Sequence, residues 1–185
     1  WRASNHWKRG TKSTRELNDR ISSFEVVDEI LQGLVNTHRF PNLKKIVLAG
    51  HSAGGQFLQR YVAGHPEIKS KKAISIRYVI ANPGRYFYFN AMRPTPDFSG
   101  DFAKLRVIGE CDYNRYEYGM EQRNNYMSRV SAETLINRFR QRDIILLLGN
   151  KDNNPSHRSL STSCGAEIQG RHRLERGLLF KAHID

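Results

Sequence analysis

One serine lies in the stretch whose residue types and spacing could carry out chemistry. Residues 50–54 read Gly-His-Ser-Ala-Gly, which has the spacing G-x-S-x-G around Ser52. An apolar, partly β-branched run comes before them, and an amphipathic helical pattern comes after. A strand, a sharp turn and a helix in this order form a nucleophile elbow, which exposes the serine hydroxyl at a strained turn. The stretch therefore predicts a nucleophilic serine.

The neighbours of Ser52 fit this interpretation. Side chains two positions either side would collide with nearby backbone, so we expect glycine at Gly50 and Gly54. Ser52 also lies near a first helical turn, where free N–H groups favour a developing oxyanion. The N–H of Ala53 is the predicted oxyanion donor. A Gly-rich turn with an incidental serine is the alternative, but it explains poorly why the glycines flank one serine symmetrically.

A serine nucleophile needs a base to take its proton and usually an acid to orient that base. Catalytic groups in open α/β sheets lie beyond the carboxyl ends of the strands. Asp152 follows the apolar run 144–149 and is the predicted acid. Its alternative is a turn aspartate, because asparagines and a proline surround it. Asp97, Asp101 and Asp112 lie in an irregular segment and are weaker candidates.

The general base is harder to place in the sequence. We expect a histidine in a loop after one more strand, but the C-terminal residues read as a helix. His157 shares a loop with the predicted acid, whereas His172 and His183 fall in or beside that helix and read as surface residues. His51 directly precedes the nucleophile, and we expect its side chain to point elsewhere. The sequence therefore predicts a catalytic histidine beyond Asp185.

The order of the elements indicates the fold class. The patterns predict helix, strand, helix, strand, an irregular segment, helix, strand and helix. Ser22 and Glu25 have capping-box spacing at the start of the first helix, and Ser131 precedes another. Alternating elements with buried strands predict an α/β, doubly wound, mostly parallel sheet with helices on both faces. We expect one such domain over residues 1–185.

Two irregular stretches need a function or a packing partner. Residues 92–127 form a long irregular insertion, which can act as a lid over an active site. Residues 86–89 are four consecutive aromatics, Tyr-Phe-Tyr-Phe. They are either a hydrophobic wall for a substrate or part of the core, and core packing is favoured because aromatics mostly bury.

Composition limits the other function classes. The formal net charge of +12 could indicate a basic module that binds nucleic acid or an anionic surface. The basic residues are scattered and no nucleic-acid motif accompanies them, so a basic solvated surface is favoured. No apolar run reaches the ~20 residues that would span a bilayer. No metal or organic cofactor is implied.

The two cysteines are compatible with either a cytoplasmic or a secreted protein. Cys111 and Cys164 have neither C-x-x-C nor zinc-site spacing. They either remain two separate thiols or form a disulfide, which would favour a secreted protein over a cytoplasmic one.

Several stretches resemble the α/β-hydrolase superfamily, in particular a poorly characterised group found in fungi and bacteria. The matching stretches cover most of the chain and are residues 40–44, 50–57, 81–83 with Tyr86, 118–119, 147–149 with Asp152, 163–164, and 170 with 173–177. The resemblance implies a Ser-Asp-His hydrolase of ester-like bonds, with Ser52 as nucleophile and Asp152 as acid. Members of this group carry earlier strands and an oxyanion-hole loop before the matching region. They also carry a final strand and a Gly-His segment after it, so the chain looks like a central fragment with a partial fold.

The function expected from the sequence is therefore hydrolysis of a small-molecule ester, thioester or amide through an acyl-enzyme. A non-catalytic binding protein with the same fold is the main alternative, since the histidine is missing. The basic module is the second, and steeply salt-dependent binding would be its signature.

Overall fold

The main sheet of the protein has three parallel strands. The structure is a computed structural model that describes residues 6–14, 20–36, 40–70, 73–106 and 110–185. The five strands are β1 (Lys45–His51), β2 (Ser75–Ala81), β3 (Met92–Pro94), β4 (Phe102–Lys104) and β5 (Asp143–Leu147). The α-helices are α1 (Ser23–Asn36), α2 (Ala53–Gly64), α3 (Ala132–Gln141), α4 (Cys164–Glu167) and α5 (Arg173–Ile184). Short 3₁₀ turns lie at Trp7–Arg9 and Met127–Arg129.

The sheet has the strand order β1-β2-β5, and all its strands are parallel. Its register places His51 opposite Ala81 and Ala81 opposite Leu147. The carboxyl ends of the three strands are therefore level. Whatever follows each strand meets its neighbours at one edge, where open α/β sheets bind their ligands.

Local signals set most helix ends. The Ser22 backbone N–H donates to Glu25 Oε2 at 2.6 Å, and the Phe24 N–H donates to Ser22 Oγ at 3.1 Å. The capping-box prediction is thereby confirmed, and Ser131 likewise caps α3. The C-terminal residues form two helices instead of one, because the chain turns at Gly170 with a φ of 142°. No described helix is long and apolar enough to span a membrane.

The core lies on one face of the sheet. Helix α2 packs against β1 and β2, where Tyr78 and Ile80 are buried. The four aromatics of residues 86–89 are also buried, each at most 6% exposed. Core packing of this aromatic run is therefore confirmed, and the wall for a substrate is not its role.

The opposite face of the sheet is open among the described residues. Val47 and Leu147 are each 56% exposed and Ile145 is 39% exposed. Successive side chains of a strand point to opposite faces, so these three mark the face away from the core. Helices on both faces, the doubly wound arrangement, are not confirmed by the described chain and stay a prediction.

The segment 92–127 is more ordered than the sequence suggests. Its β3 and β4 pair as an antiparallel ribbon, with Met92 opposite Lys104. Tyr113, Glu117 and Tyr126 within it are buried. The segment is anchored to the core by these side chains, and its role as a lid stays a prediction.

A buried carboxylate surrounded by arginines makes the main polar anchor. Glu117 is 2% exposed, and its Oε1 lies 2.6 Å from Nη2 of both Arg9 and Arg85. Nη2 of the fully buried Arg60 lies 3.4 Å from Oε2. Burial on its own would raise the pKa of Glu117, but Arg60, Arg85 and Arg9 outweigh it and hold this pKa below its ordinary value. The cluster, which we call the Glu117 cluster, joins the segment 92–127 to α2.

The two cysteines form a disulfide, which settles the alternatives that the sequence left open. Cys111 and Cys164 have Cα atoms 5.8 Å apart and are 53 residues apart in sequence. The bond joins the segment 92–127 to α4.

Reducing this disulfide is expected to lower the free energy of unfolding by roughly 2–4 kcal/mol, because the unfolded chain regains the entropy of a long loop. Urea unfolding with and without reductant measures the change. The double variant Cys111→Ser, Cys164→Ser is the control and should not respond to reductant. A wild-type midpoint that reductant leaves unchanged would contradict the prediction.

Candidate active site

Ser52 occupies a strained turn between β1 and α2. Its backbone has φ 52° and ψ −108°, outside the regions that L-residues ordinarily adopt. Its N–H donates to the Ala81 carbonyl at 2.9 Å, which fixes the turn against the end of β2. The strand, turn and helix expected from the sequence are all present. Such strain persists only where the surrounding structure maintains it, and it is concentrated at functional sites.

The sequence predicts the same steric role for the glycines on either side of Ser52, but their contacts in the structure differ. A Cβ at Gly50 would lie 2.3 Å from the Gly54 carbonyl oxygen. A Cβ at Gly54 would meet no atom within 4 Å outside its own helix, so the expected collision there is wrong. A Cβ at Gly55 would instead lie 2.7 Å from the Ala81 carbonyl oxygen. Close approach of β1, β2 and α2 thus requires Gly50 and Gly55.

Ala53 is the first residue of α2. The first helical hydrogen bond runs from the Gln56 N–H to the Ser52 carbonyl at 3.0 Å. The N–H groups of residues 53–55 therefore have no partner inside the helix and lie at its positive end. This is the geometry that the predicted oxyanion donor requires.

An open cleft of about 580 Å³ lies at the carboxyl edge of the sheet and includes Ser52. Its uncharged lining also contains Asn82, Gly149, Asn150 and Ser159. Asn82 follows β2, while the other three follow β5. The level strand ends therefore bring the predicted nucleophile and the loop after β5 to one cavity.

The charged and titratable lining of the same cleft includes the predicted acid. Asp152 borders it together with Lys151, Arg173 and two histidines, His51 and His157. The sequence had placed the His51 side chain away from the site, and the structure places this residue at the cleft. Ser52 and Asp152, the two predicted catalytic residues, thus border one cavity.

Asp152 is held by a residue that sequence reasoning missed. Arg173 Nη1 donates to Asp152 Oδ1 at 3.0 Å, and Arg173 Nη2 donates to the Ser159 carbonyl at 2.7 Å. The Leu174 N–H donates to the Asp152 carbonyl at 3.0 Å. Asp152 Oδ2 accepts from no described donor. Arg173 and Leu174, at the start of α5, thus hold the loop after β5 in place. The Oδ2 atom of Asp152 remains without a partner among the described residues.

Asn82 fixes the base of the same loop. It has a positive φ of 40°, and its Oδ1 accepts from the Gly149 N–H at 2.7 Å. Its own N–H donates to the Leu147 carbonyl at 2.9 Å. A sequence signal existed, because Asn tolerates a left-handed conformation better than most residues.

His157 borders the cleft without joining Ser52 and Asp152. Its Nδ1 accepts from the Ser159 N–H at 3.2 Å, which leaves the proton of a neutral imidazole on Nε2. Within the described residues, no hydrogen bond connects Ser52 Oγ to His157 or Asp152. The structure therefore brings three residue types of a triad to one cleft but does not link them.

The other histidines after Asp152 have structural roles. His172 caps α5, with its Nδ1 accepting from the Glu175 N–H at 3.2 Å. His183 packs on Tyr88 with ring centres 4.6 Å apart. Burial, with Arg93 and Arg140, lowers the pKa of His183 to about 4. The expectation that His183 is a surface residue is therefore wrong, because it is half-buried in an aromatic cluster.

The weaker acid candidates do not border the cleft. Asp97 accepts from Thr95 Oγ1 at 2.6 Å, and Asp112 pairs with Arg115 at 3.4 Å. Asp101 lies near the same turn of the ribbon. In the part of the chain that the structure describes, no group of three or more His, Cys, Asp or Glu side chains could hold a metal ion.

Replacing Arg173 by methionine is expected to lower the free energy of unfolding by roughly 1–3 kcal/mol, because Asp152 and the Ser159 carbonyl lose their buried partner. Arg171→Met removes an exposed pair with Glu175 and is the matched control, with little change expected. Urea unfolding compares the two variants. If both variants lost the same free energy of unfolding, the contacts of Arg173 would not be what stabilises the loop after β5.

Comparison with solved structures gives the fold type. Poly(aspartic acid) hydrolase-1 from Sphingomonas sp. KT-1 is 26% identical over 89% of this chain and 50% of its own, with a TM-score of 0.56. LpqC, a poly(3-hydroxybutyrate) depolymerase from Bordetella parapertussis, is 21% identical over 99% of this chain and 52% of its own, with a TM-score of 0.65. The fold is of the α/β-hydrolase type.

This chain spans about half the length of each of the two hydrolases. No protein-family model matches it, and no curated protein matches it. The α/β-hydrolase-type fold agrees with the superfamily that the sequence resembles.

Proposed function

We propose that the chain is the nucleophile-bearing part of a serine hydrolase that cleaves a carboxylic ester, thioester or amide. The observation that carries this proposal is the strained backbone of Ser52 at the tip between β1 and α2. The two similar structures are both described as hydrolases, one a depolymerase of poly(3-hydroxybutyrate) and the other a hydrolase of poly(aspartic acid).

In the proposed reaction, Ser52 Oγ attacks the substrate carbonyl carbon while a histidine takes its proton. The negative charge develops on the carbonyl oxygen, where the Ala53 N–H stabilises it. The intermediate then expels the alcohol, thiol or amine, which receives the proton back from the histidine. Water hydrolyses the acyl-serine by the same steps and restores the free hydroxyl.

Asp152 orients the histidine in this proposal. Arg173 occupies its Oδ1 at 3.0 Å, so Oδ2 remains for the N–H of the base. We place that base outside residues 1–185, because His157 Nδ1 already accepts from Ser159. The segment 92–127 is proposed as a lid, anchored by the Glu117 cluster.

A base that lies elsewhere can be replaced chemically, so imidazole rescue tests the proposal. The rate at which a fluorophosphonate acylates the chain is measured by intact-protein mass, with increasing imidazole. We expect acceleration of about tenfold or more, since a positioned base contributes 10²–10⁴-fold. His157→Ala should respond in the same way.

Two other outcomes would be informative. Fast labelling without imidazole that His157→Ala abolishes would make His157 the base and overturn its placement elsewhere. A folded chain that imidazole cannot activate would contradict a serine hydrolase and favour a non-catalytic binding protein.

A further inference from the structure

The described lining of the cleft contains no aliphatic side chain and no Phe, Tyr or Trp. A fatty acyl chain gains about 0.8 kcal/mol for each CH₂ group that it buries, and that gain requires apolar walls. Asparagine, serine and charged side chains instead form these walls. The described cleft therefore suits a polar acyl group better than a lipid tail.

The charges around the cleft have one predominant sign. Lys151 and Arg173 are cationic, and Asp152 is the one carboxylate in the described lining. Arg173 already neutralises Asp152. Lys151 is exposed and forms no ion pair with any described residue, so its positive charge is uncompensated.

Arg173 adds a second positive charge beside the cleft. The residue is 7% exposed, and its Nε is buried without an acceptor among the described residues. Because that atom has almost no accessible surface, a ligand in the cleft meets the guanidinium as a charge and not through this N–H. Carboxylates are the groups that a guanidinium charge favours.

We propose that the cleft binds a substrate whose acyl part carries a carboxylate, with Lys151 as the residue that determines this preference. The inference rests on the proposed function, because it assigns the substrate class of the same cleft. The formal net charge of +12 supports it by attracting anionic substrates towards the protein.

Binding without turnover tests this preference separately from catalysis. Ser52→Ala is titrated with N-phenylsuccinamate and with its uncharged counterpart N-phenylsuccinamide, and NMR follows the imidazole signals of His51 and His157. We expect the anion to bind about threefold more tightly at physiological salt. Adding Lys151→Glu should weaken binding of the anion about tenfold and leave the uncharged compound unchanged.

Lys44→Glu is the matched control, because it changes the net charge equally at the opposite end of β1. Its effect should be small, since charges beyond about 8 Å are screened at physiological salt. Undetectable binding of the anion, equal affinity for both compounds, or an equal loss with Lys44→Glu would overturn the inference. A preference for the anion in a protein that imidazole cannot activate would retain the inference and reject only the proposed hydrolysis.

Discussion

Gly50→Ala is expected to destabilise the protein by about 3 kcal/mol and to abolish labelling of Ser52 by a fluorophosphonate. The added Cβ would lie 2.3 Å from the Gly54 carbonyl oxygen, which belongs to the backbone of α2 and cannot rotate away. The first turn of α2 must then move from β1, and the φ of 52° at Ser52 is lost with it. Urea unfolding and the labelling rate measure the two effects.

Gly54→Ala is the matched control four residues along the same turn. Its Cβ meets no atom within 4 Å outside its helix, and alanine favours a helix over glycine. We expect a stability within about 1 kcal/mol of wild type, on the stabilising side, and an unchanged labelling rate. If Gly50→Ala and Gly54→Ala had the same stability and the same labelling rate, the close approach of β1 and α2 would not be the reason for glycine at position 50.

Glu117→Gln is expected to cost about 3–5 kcal/mol, because it leaves buried guanidinium groups without their counter-charge. Arg60 is fully buried and Arg85 is nearly so, and both face the carboxylate. Urea unfolding at neutral pH measures the loss. Glu67→Gln is the control, since Glu67 is exposed and forms no ion pair among the described residues.

The effect should depend on pH in a defined direction. The pKa of Glu117 is lowered in the folded protein, so its stabilisation is present above the ordinary glutamate value of about 4.3. It is lost as the pH falls through the lowered pKa, where the folded state takes up the proton. Wild type and Glu117→Gln should therefore become closer in stability in acid. A gap that stays constant with pH would contradict this account.

The sequence predicted the elbow well because its signals are local. A strand, the Gly-x-Ser-x-Gly turn and a helix follow one another within residues 45–64. Helix caps at Ser22 and Ser131 were predictable for the same reason, since each cap uses atoms two or three residues away. Short-range geometry follows directly from residue order.

Contacts between distant residues were not predictable from these patterns. Arg173 reaches Asp152 across 21 residues, and it does so only because α5 begins beside the loop after β5. Arg60 donates to the Glu117 carbonyl across 57 residues. No spacing rule connects such pairs, because the path of the chain between them sets the distance.

The glycines near Ser52 show that residue spacing alone does not predict which position makes a close contact. Symmetry about Ser52 suggested Gly50 and Gly54, whereas the close contact on the helix side falls at Gly55. Helical rotation turns residue 54 towards open space and residue 55 towards the Ala81 carbonyl. Counting along the sequence cannot replace the angle at which α2 leaves the turn.

The most direct test of the central claim is to locate the fluorophosphonate adduct by peptide mass spectrometry, with imidazole present. The account predicts modification of Ser52 and none in Ser52→Ala. Ser75→Ala, at the opposite end of the sheet, should be labelled like wild type. An adduct on another residue, or no adduct on a folded chain, would contradict the claim that Ser52 is the nucleophile.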